Sequence, residues 1–396
     1  MNILFYTAYK PTALRGGTER ASINVARKLR ELYDWNCYAL FAYDDELKLD
    51  DVFVAGCKIP DNGKPFTVLD QIERWNVDVV VDQGDFAFVN YMNENCTDSI
   101  KMIFAYHYAP EWEIINAKSS YSENLYDCLR SQNVREAMRS CIKLVFTPIV
   151  NCYKIHRVGT RFKQAGQKSD CVVLLSKCFI PQYRKYSPTI GVDNIRFIPN
   201  MLSYEHFATI EEISSKEKIV LIVARMEEKQ KRISLALDIW KRVKSSPLSK
   251  GWVLRIVGDG GDLSRYKRIV DNEKIPDVKF LGRIDPYDEY LRSSIFVMTS
   301  ISEGWGITLT EAQQLGCIPI AFDSYASVHD IIEDGVTGLL FPFGNCRAFA
   351  NGMLGLMRNR SRREKMAEFA VRSSRRYEGR IIAEQWRALL LQLCES

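Results

Sequence analysis

Three stretches of this chain set charged side chains and glycines at points where a strand gives way to a helix. The most informative is Ser302-Glu303-Gly304-Trp305-Gly306-Ile307-Thr308-Leu309-Thr310-Glu311, behind the apolar run Ile295 to Thr299. Gly304 and Gly306 let backbone come close to a ligand. The amides of Ile307 and Thr308, at the start of the helix that follows, form an anion site together with the helix dipole. Glu303 lies in the loop and Glu311 about one turn into the helix, so the two carboxylates can reach one crevice at different depths. A carboxylate beside a phosphate would repel it, so each is better suited to hydroxyls, Glu311 to a ribose and Glu303 to a sugar in transit. The plain alternative is a surface loop with a capping glutamate.

The second stretch is Ala224-Arg225-Met226-Glu227-Glu228-Lys229-Gln230-Lys231-Arg232. Arg225 falls at the C-terminal end of a strand, where open α/β sheets bind ligands, and Lys231 at the entry to the next helix. Two fixed cations converging on a diphosphate would stabilise the charge that builds on a leaving nucleotide. The alternative is a solvated basic turn paired with Glu227 and Glu228. The third stretch, Arg15-Gly16-Gly17-Thr18, follows the first strand, and its paired glycines allow main chain to approach a phosphate or sugar.

Several chemistries lack their pattern. Neither the Gly16 loop nor Gly258-Asp259-Gly260-Gly261 fits Gly-x-Gly-x-x-Gly, which argues against a bound nicotinamide, and no Gly-Lys-Ser/Thr offers a P-loop. No Asp-x-Asp stands ready to hold a divalent metal on a diphosphate, so Arg225 and Lys231 would have to supply that charge. The 4 histidines are scattered, and the 11 cysteines form no Cys-x-x-Cys; Cys171 and Cys317 sit in apolar runs and read as small core residues. No metal site and no cofactor are expected.

The elements that must position these residues alternate. Apolar runs 2–7, 37–42, 77–81, 102–105 and 171–175 read as strands, with a helix at 18–32. The pattern restarts with strands at 218–224, 252–257, 278–281, 295–299 and 318–322, helices at 233–243 and 348–357, and a last helix at 379–393. Short apolar strands separated by helices predict parallel sheets buried on both faces. A length of 396 residues exceeds one ordinary core, and a composition 46% apolar and 26% charged is that of a globular protein. The polar stretch 204–218 reads as the connector. The N-terminus lacks a signal-peptide pattern, and the most lipid-like run, Cys141 to Val150, is too short to span a bilayer. A cytoplasmic protein is expected. The net charge of +5 is mild and points to no nucleic acid.

Taken in order, these motifs resemble the retaining family-4 glycosyltransferases of the GT-B architecture, over essentially the whole chain and most strongly from Ile219 to Pro342. Glu303 to Glu311 fits the family's Glu-x7-Glu, Arg225 with Lys231 its diphosphate-gripping pair, and Gly16-Gly17 its N-terminal glycine loop. Ile198-Pro199-Asn200 fits the segment before the domain crossover, and Gly335-x-x-Gly338-Leu339-Leu340 the late glycine turn. The resemblance implies two Rossmann-like α/β domains facing a central cleft: 1–205 on the acceptor side, 206–378 holding the nucleotide sugar, and a helix 379–396 packing back on the first domain. It implies sugar transfer from a nucleotide-diphosphate sugar to a glycan or lipid-linked acceptor, with retention and without a metal. Glu303 and His107 would serve at the transferred sugar. Gly16, Gly17, Arg225, Lys231, Gly306, Ile307, Thr308 and Glu311 would hold the nucleotide sugar. The chain departs from the pattern in two ways: Trp305 stands where Phe is commoner, and Lys229 rivals Lys231. His107 reads equally well as a packed or capping histidine. An epimerase or glycan phosphorylase of the same architecture, and a catalytically silent nucleotide-sugar-binding subunit, are the competing readings.

One more stretch is unusual. From Arg130 to Lys168 the chain carries Arg130, Arg135, Arg139, Lys143, Lys154, Arg157, Arg161, Lys163 and Lys168 against the single acid Glu136, interleaved with Val145, Phe146, Ile149, Val150, Tyr153, Ile155 and Phe162. Helices on either side of Pro148 would form a basic amphipathic surface suited to an anionic membrane at the inner face of the cell. The alternative packs the apolar side on the first domain and leaves a solvated basic rim.

Overall fold

The computed structural model describes residues 1–12, 16–44, 46–59, 66–95, 100–112, 134–187 and 194–395. The chain divides into two compact units, one of residues 1–114, 145–203 and 377–396, the other of 115–144 and 204–376.

The first unit is built on seven strands: β1 (Asn2–Tyr9), β2 (Asn36–Tyr43), β3 (Ala55–Lys58), β4 (Val79–Asp82), β5 (Lys101–Tyr106), β6 (Cys171–Leu174) and β7 (Ile195–Phe197). They form one parallel sheet in the order β3-β2-β1-β4-β5-β6-β7. The central strands are buried on both faces: Ile3, Leu4, Val79, Val80, Ile103 and Phe104 have no exposed surface. That is why they read as unbroken apolar runs rather than as alternating patterns. The edge strands β3 and β7 are only partly buried and carry no such run. The helix Gly17–Tyr33 covers one face through Ile23, Ala26 and Leu29. The last helix, Gly379–Glu395, lays Ile382, Trp386 and Leu390 into the same core, and Tyr33 donates to Glu384 at 2.6 Å.

The basic stretch is helical at Val134–Val145 and Thr147–Lys168. Pro148 occupies the first turn of the second helix, where a missing N–H costs nothing. Phe162 is fully buried among Phe86, Tyr106 and Tyr183, as the packed alternative has it and not the lipid-facing one. Arg161 lies over the Phe86 ring. Val145, Phe146, Tyr153 and Ile155 are exposed. Arg130 lies outside the described residues, as do the side chains of Glu136, Lys143, Ile149 and Val150.

The second unit has six strands: β8 (Glu217–Val223), β9 (Val253–Val257), β10 (Val278–Gly282), β11 (Ser293–Met298), β12 (Ile318–Asp323) and β13 (Leu339–Pro342). They too are all parallel, ordered β10-β9-β8-β11-β12-β13. The chain winds outward from β8 to β10, then returns and winds the other way from β11 to β13. The strand order thus reverses between β8 and β11, and open sheets of this kind bind ligands outside the carboxyl ends at such a point. The core joins Val220, Ile222, Ile256, Ile295 and Ile320 to Leu237 and Trp240 of the helix Ile233–Lys244. Residues 204–218 are more than a connector. They hold the helix Ile210–Ser215, closed by a capping box in which Thr209 accepts from the Glu212 amide and Glu212 from the Thr209 amide.

Candidate active site

In the second unit the residues singled out in the sequence converge on the reversal between β8 and β11. Lys231 closes the short helix Glu228–Lys231, and its Nζ lies 2.6 Å from Glu303 Oε1 in the loop after β11. Both side chains are largely enclosed, at 18% and 10% exposure. Lys229, the rival cation, is exposed.

Two residues without a motif hold this pair. Gln230 joins the loop through its carbonyl, which accepts from the Ile301 amide at 2.8 Å, and through its side-chain amide, which donates to the Ser302 carbonyl at 3.0 Å and Glu303 Oε2 at 3.3 Å. The Thr299 hydroxyl sits 2.9 Å from the Lys231 carbonyl and 3.0 Å from that of Arg232. Arg232 takes a left-handed conformation, φ 51°. Beneath the turn, buried Glu228 accepts from the Ser234 amide and hydroxyl, while its own amide donates to Asp262 at 2.8 Å.

Arg225 is mostly exposed and pairs with Glu227 Oε2 at 2.6 Å, the basic-turn partner named by the alternative reading. Its loop is seated on the glycine turn after β9. Met226 donates to the Asp259 carbonyl at 2.9 Å, and a Cβ on Gly258 (φ +133°) would stand 1.9 Å from the Ala224 carbonyl oxygen. Gly258 and Gly260 therefore serve close packing against the Arg225 loop, whereas Gly261 has open space where a Cβ would stand.

The helix after Glu303 spans Ile307–Gln314, with Gly306 at its N-cap in the left-handed region, φ +96°. The first amides of a helix lack intrahelical partners, so Ile307 and Thr308 present N–H groups at this end. Buried Tyr325 lies close by, with its hydroxyl 3.3 Å from where a Gly306 Cβ would be. Burial, and secondarily the Glu303 charge, hold that hydroxyl protonated. Glu311 is fully buried, and the Tyr290 hydroxyl donates to its Oε2 at 3.0 Å. The sequence carried no signal for Tyr290, which sits in the helix Tyr287–Arg292 far from any glycine motif.

Gly16, Gly17 and His107 belong to the first unit. Gly16 is the N-cap of the helix Gly17–Tyr33, and the Glu19 carboxylate of that first turn lies against it. His107 follows β5, and its Nε2 meets the Gln83 side-chain oxygen beyond the neighbouring strand β4. Burial pushes the imidazole down to about 4, so it is neutral near pH 7. Gln83 Oε1 is an acceptor, so Nε2 carries the proton and Nδ1 is left as an acceptor.

Two Rossmann-like α/β units, a cation–carboxylate pair at a strand-order reversal and a helical C-terminus define a protein of the GT-B architecture. Residues 204–372 match the family model described as glycosyl transferases group 1. The chain is 24% identical over 201 residues to the poly(glycerol-phosphate) alpha-glucosyltransferase of Bacillus subtilis (strain 168), covering 50% of this chain and 29% of that protein. It is 26% identical over 200 residues to the phosphatidyl-myo-inositol mannosyltransferase of Mycobacterium leprae (strain TN), covering 50% of each. The chain thus spans less than two thirds of the length of the curated relatives it matches. Its structure is similar to Anabaena HepE, crystallised with UDP-glucose, at a TM-score of 0.71 and 15% identity over 99% of this chain and 100% of that one.

Proposed function

We propose that this chain is a retaining, metal-independent glycosyltransferase that moves a sugar from a nucleotide-diphosphate sugar to a glycan or lipid-linked acceptor. The observation that carries the reading is the Lys231–Glu303 pair at the β8/β11 reversal, within residues that match the group 1 model. In this reading the bond from the anomeric carbon to the diphosphate oxygen breaks and the electron pair leaves with the nucleotide. Arg225, Lys231 and the amides of Ile307 and Thr308 stabilise the charge that accumulates there. An acceptor hydroxyl forms the new bond from the same face and gives up its proton to the departing diphosphate oxygen. Glu303, held by Gln230, addresses the sugar hydroxyls, and Glu311 the ribose. On the first unit, Gly16 and Gly17 are the proposed nucleotide-sugar-binding residues, and neutral His107 the proposed catalytic one. The crystallised HepE complex makes UDP-glucose the first donor to test.

The test is nucleotide release from UDP-glucose, UDP-N-acetylglucosamine, UDP-galactose and GDP-mannose, with and without excess chelator. Release from one of them that survives chelator and falls in Lys231→Ala supports the proposal. Binding without release from any would return the chain to the silent-subunit reading.

The membrane belongs to the same proposal. In the helix Thr147–Lys168, residues from Val158 onward pack on the core through Val158, Phe162 and Ala165, while Tyr153, Ile155 and Arg157 are exposed. Phe146, just before the helix, is exposed as well. Among the described residues no helix is long and apolar enough to cross a membrane. This half-packed helix would lie on an anionic surface at the cell's inner face, each nearby cation adding on the order of 1 kcal/mol. Co-sedimentation with phosphatidylglycerol vesicles should appear at low salt, fade as screening grows and drop in Lys154→Glu/Arg157→Glu. Arg161, engaged with Phe86, is the wrong probe. Absence of binding at low salt would remove the membrane from the proposal.

A further inference from the structure

The carboxyl end of the first unit's sheet carries an aromatic pair that none of the motifs explains. Tyr9 ends β1 and Tyr43 ends the neighbouring β2, and the two are register partners in the ladder. They are 44% and 59% exposed, although the strands behind them are buried. Their ring centroids stand 5.2 Å apart at 36°. The main chain that carries the pair is fixed: the Lys10 amide donates to the Tyr43 carbonyl at 3.0 Å, and the Thr7 hydroxyl to the Tyr9 carbonyl at 2.7 Å. Tyr6, three residues earlier on β1, lies stacked on Phe88 inside the unit, so exposure is particular to the strand ends. Tyr108, just beyond β5 on the same edge of the sheet, is 45% exposed.

We propose that Tyr9 and Tyr43 form a stacking platform for a pyranose ring of the acceptor. The inference rests on the glycosyltransferase reading and adds the acceptor's chemistry: it contains a sugar ring. A pyranose has one face of C–H groups and an edge of hydroxyls. A tyrosine ring offers an apolar face with a polar tip, and two rings held by a strand ladder lose little freedom on contact. The rim is polar, as a hydroxyl-bearing ligand requires: Lys10 ion-pairs with Asp44 beside Tyr43 and donates to the Leu47 carbonyl at 2.9 Å. The place is right as well. In this sheet the strand order reverses between β1 and β4, so Tyr9 stands at the reversal's carboxyl edge.

The experiment is saturation-transfer NMR on the full chain with methyl α-D-glucopyranoside and methyl 2-acetamido-2-deoxy-α-D-glucopyranoside, with UDP titrated into the same samples. The expected result is transfer concentrated on the C–H protons of one ring face. It should fall on the order of tenfold in Tyr9→Ala/Tyr43→Ala and persist in Tyr9→Phe/Tyr43→Phe. Full transfer in the alanine pair, or none from either glycoside in the unaltered protein, overturns the platform. Because UDP reads the second unit, transfer that depends on the tyrosines in a protein without UDP affinity would uphold the platform while removing the donor reading. Unchanged far-UV circular dichroism and melting temperature in the alanine pair show that the first unit is still folded.

Discussion

Lys231 Nζ stands 2.6 Å from Glu303 Oε1, although the two residues belong to segments that follow different strands, β8 and β11. Each neutralises the other in a largely enclosed position, so removing one leaves a poorly solvated charge behind. Lys231→Met should destabilise the protein by about 1–3 kcal/mol, and Lys231→Met/Glu303→Gln by less than the sum of the single changes. Urea unfolding of the three variants forms the cycle. Strict additivity would mean that the pair is not coupled. In the same variants UDP affinity should drop about 10- to 100-fold for Lys231→Met and stay nearly level for Glu303→Gln.

Gly258 is the hinge-pin of the Arg225 loop. Its φ of +133° and the 1.9 Å approach of a Cβ to the Ala224 carbonyl leave alanine no place. Gly258→Ala should cost roughly 2 kcal/mol or more and lower UDP affinity, because Arg225 directly follows Ala224. Gly335 supplies the control: it also has positive φ, +76°, but nothing within 4 Å of a Cβ. Gly335→Ala should cost only about 1–2 kcal/mol of backbone strain and leave affinity unchanged. Equal losses of affinity in both would break the link between the turn and the Arg225 loop.

Tyr290→Phe removes the hydroxyl that donates to Glu311 Oε2 inside the second unit. Losing one partner of a buried polar pair costs about 1–3 kcal/mol. Because Glu311 is the proposed ribose ligand, UDP should bind more weakly, whereas affinity for free pyrophosphate should hold. Parallel losses for both ligands in calorimetry would assign Tyr290 to general stability instead.

His107 gives the protein a pH signature. Burial lowers its folded-state value from 6.5 to about 4, so between these limits the unfolded chain binds more protons than the folded one. Stability contributed by the neutral ring is therefore complete above pH 6.5 and is lost as pH falls toward 4. His107→Gln, which keeps a donor for Gln83, should shrink the drop in melting temperature between pH 7.5 and 4.5. The same drop in both proteins would show that the imidazole does not titrate in this way.

What the sequence determined by itself was whatever depends on local pattern. Strands buried on both faces must be continuous apolar runs, so β1, β4, β5, β8, β11 and β12 were legible, as was the restart that separates two sheets. Edge strands β3 and β7, wet on one side, left no such trace. Lys231 and Glu303 could be named because cations and glycines after a strand are a local signature. Their contact could not be read, because 72 positions separate them and only the parallel pairing of β8 with β11 closes that gap. The same holds for Gln230, Thr299 and Tyr290, ordinary residues whose roles exist only through partners on other elements. Phe162 shows the converse. Its place in a basic, amphipathic run left an outward and an inward face both open, and packing against Phe86, Tyr106 and Tyr183 decided which one it would take.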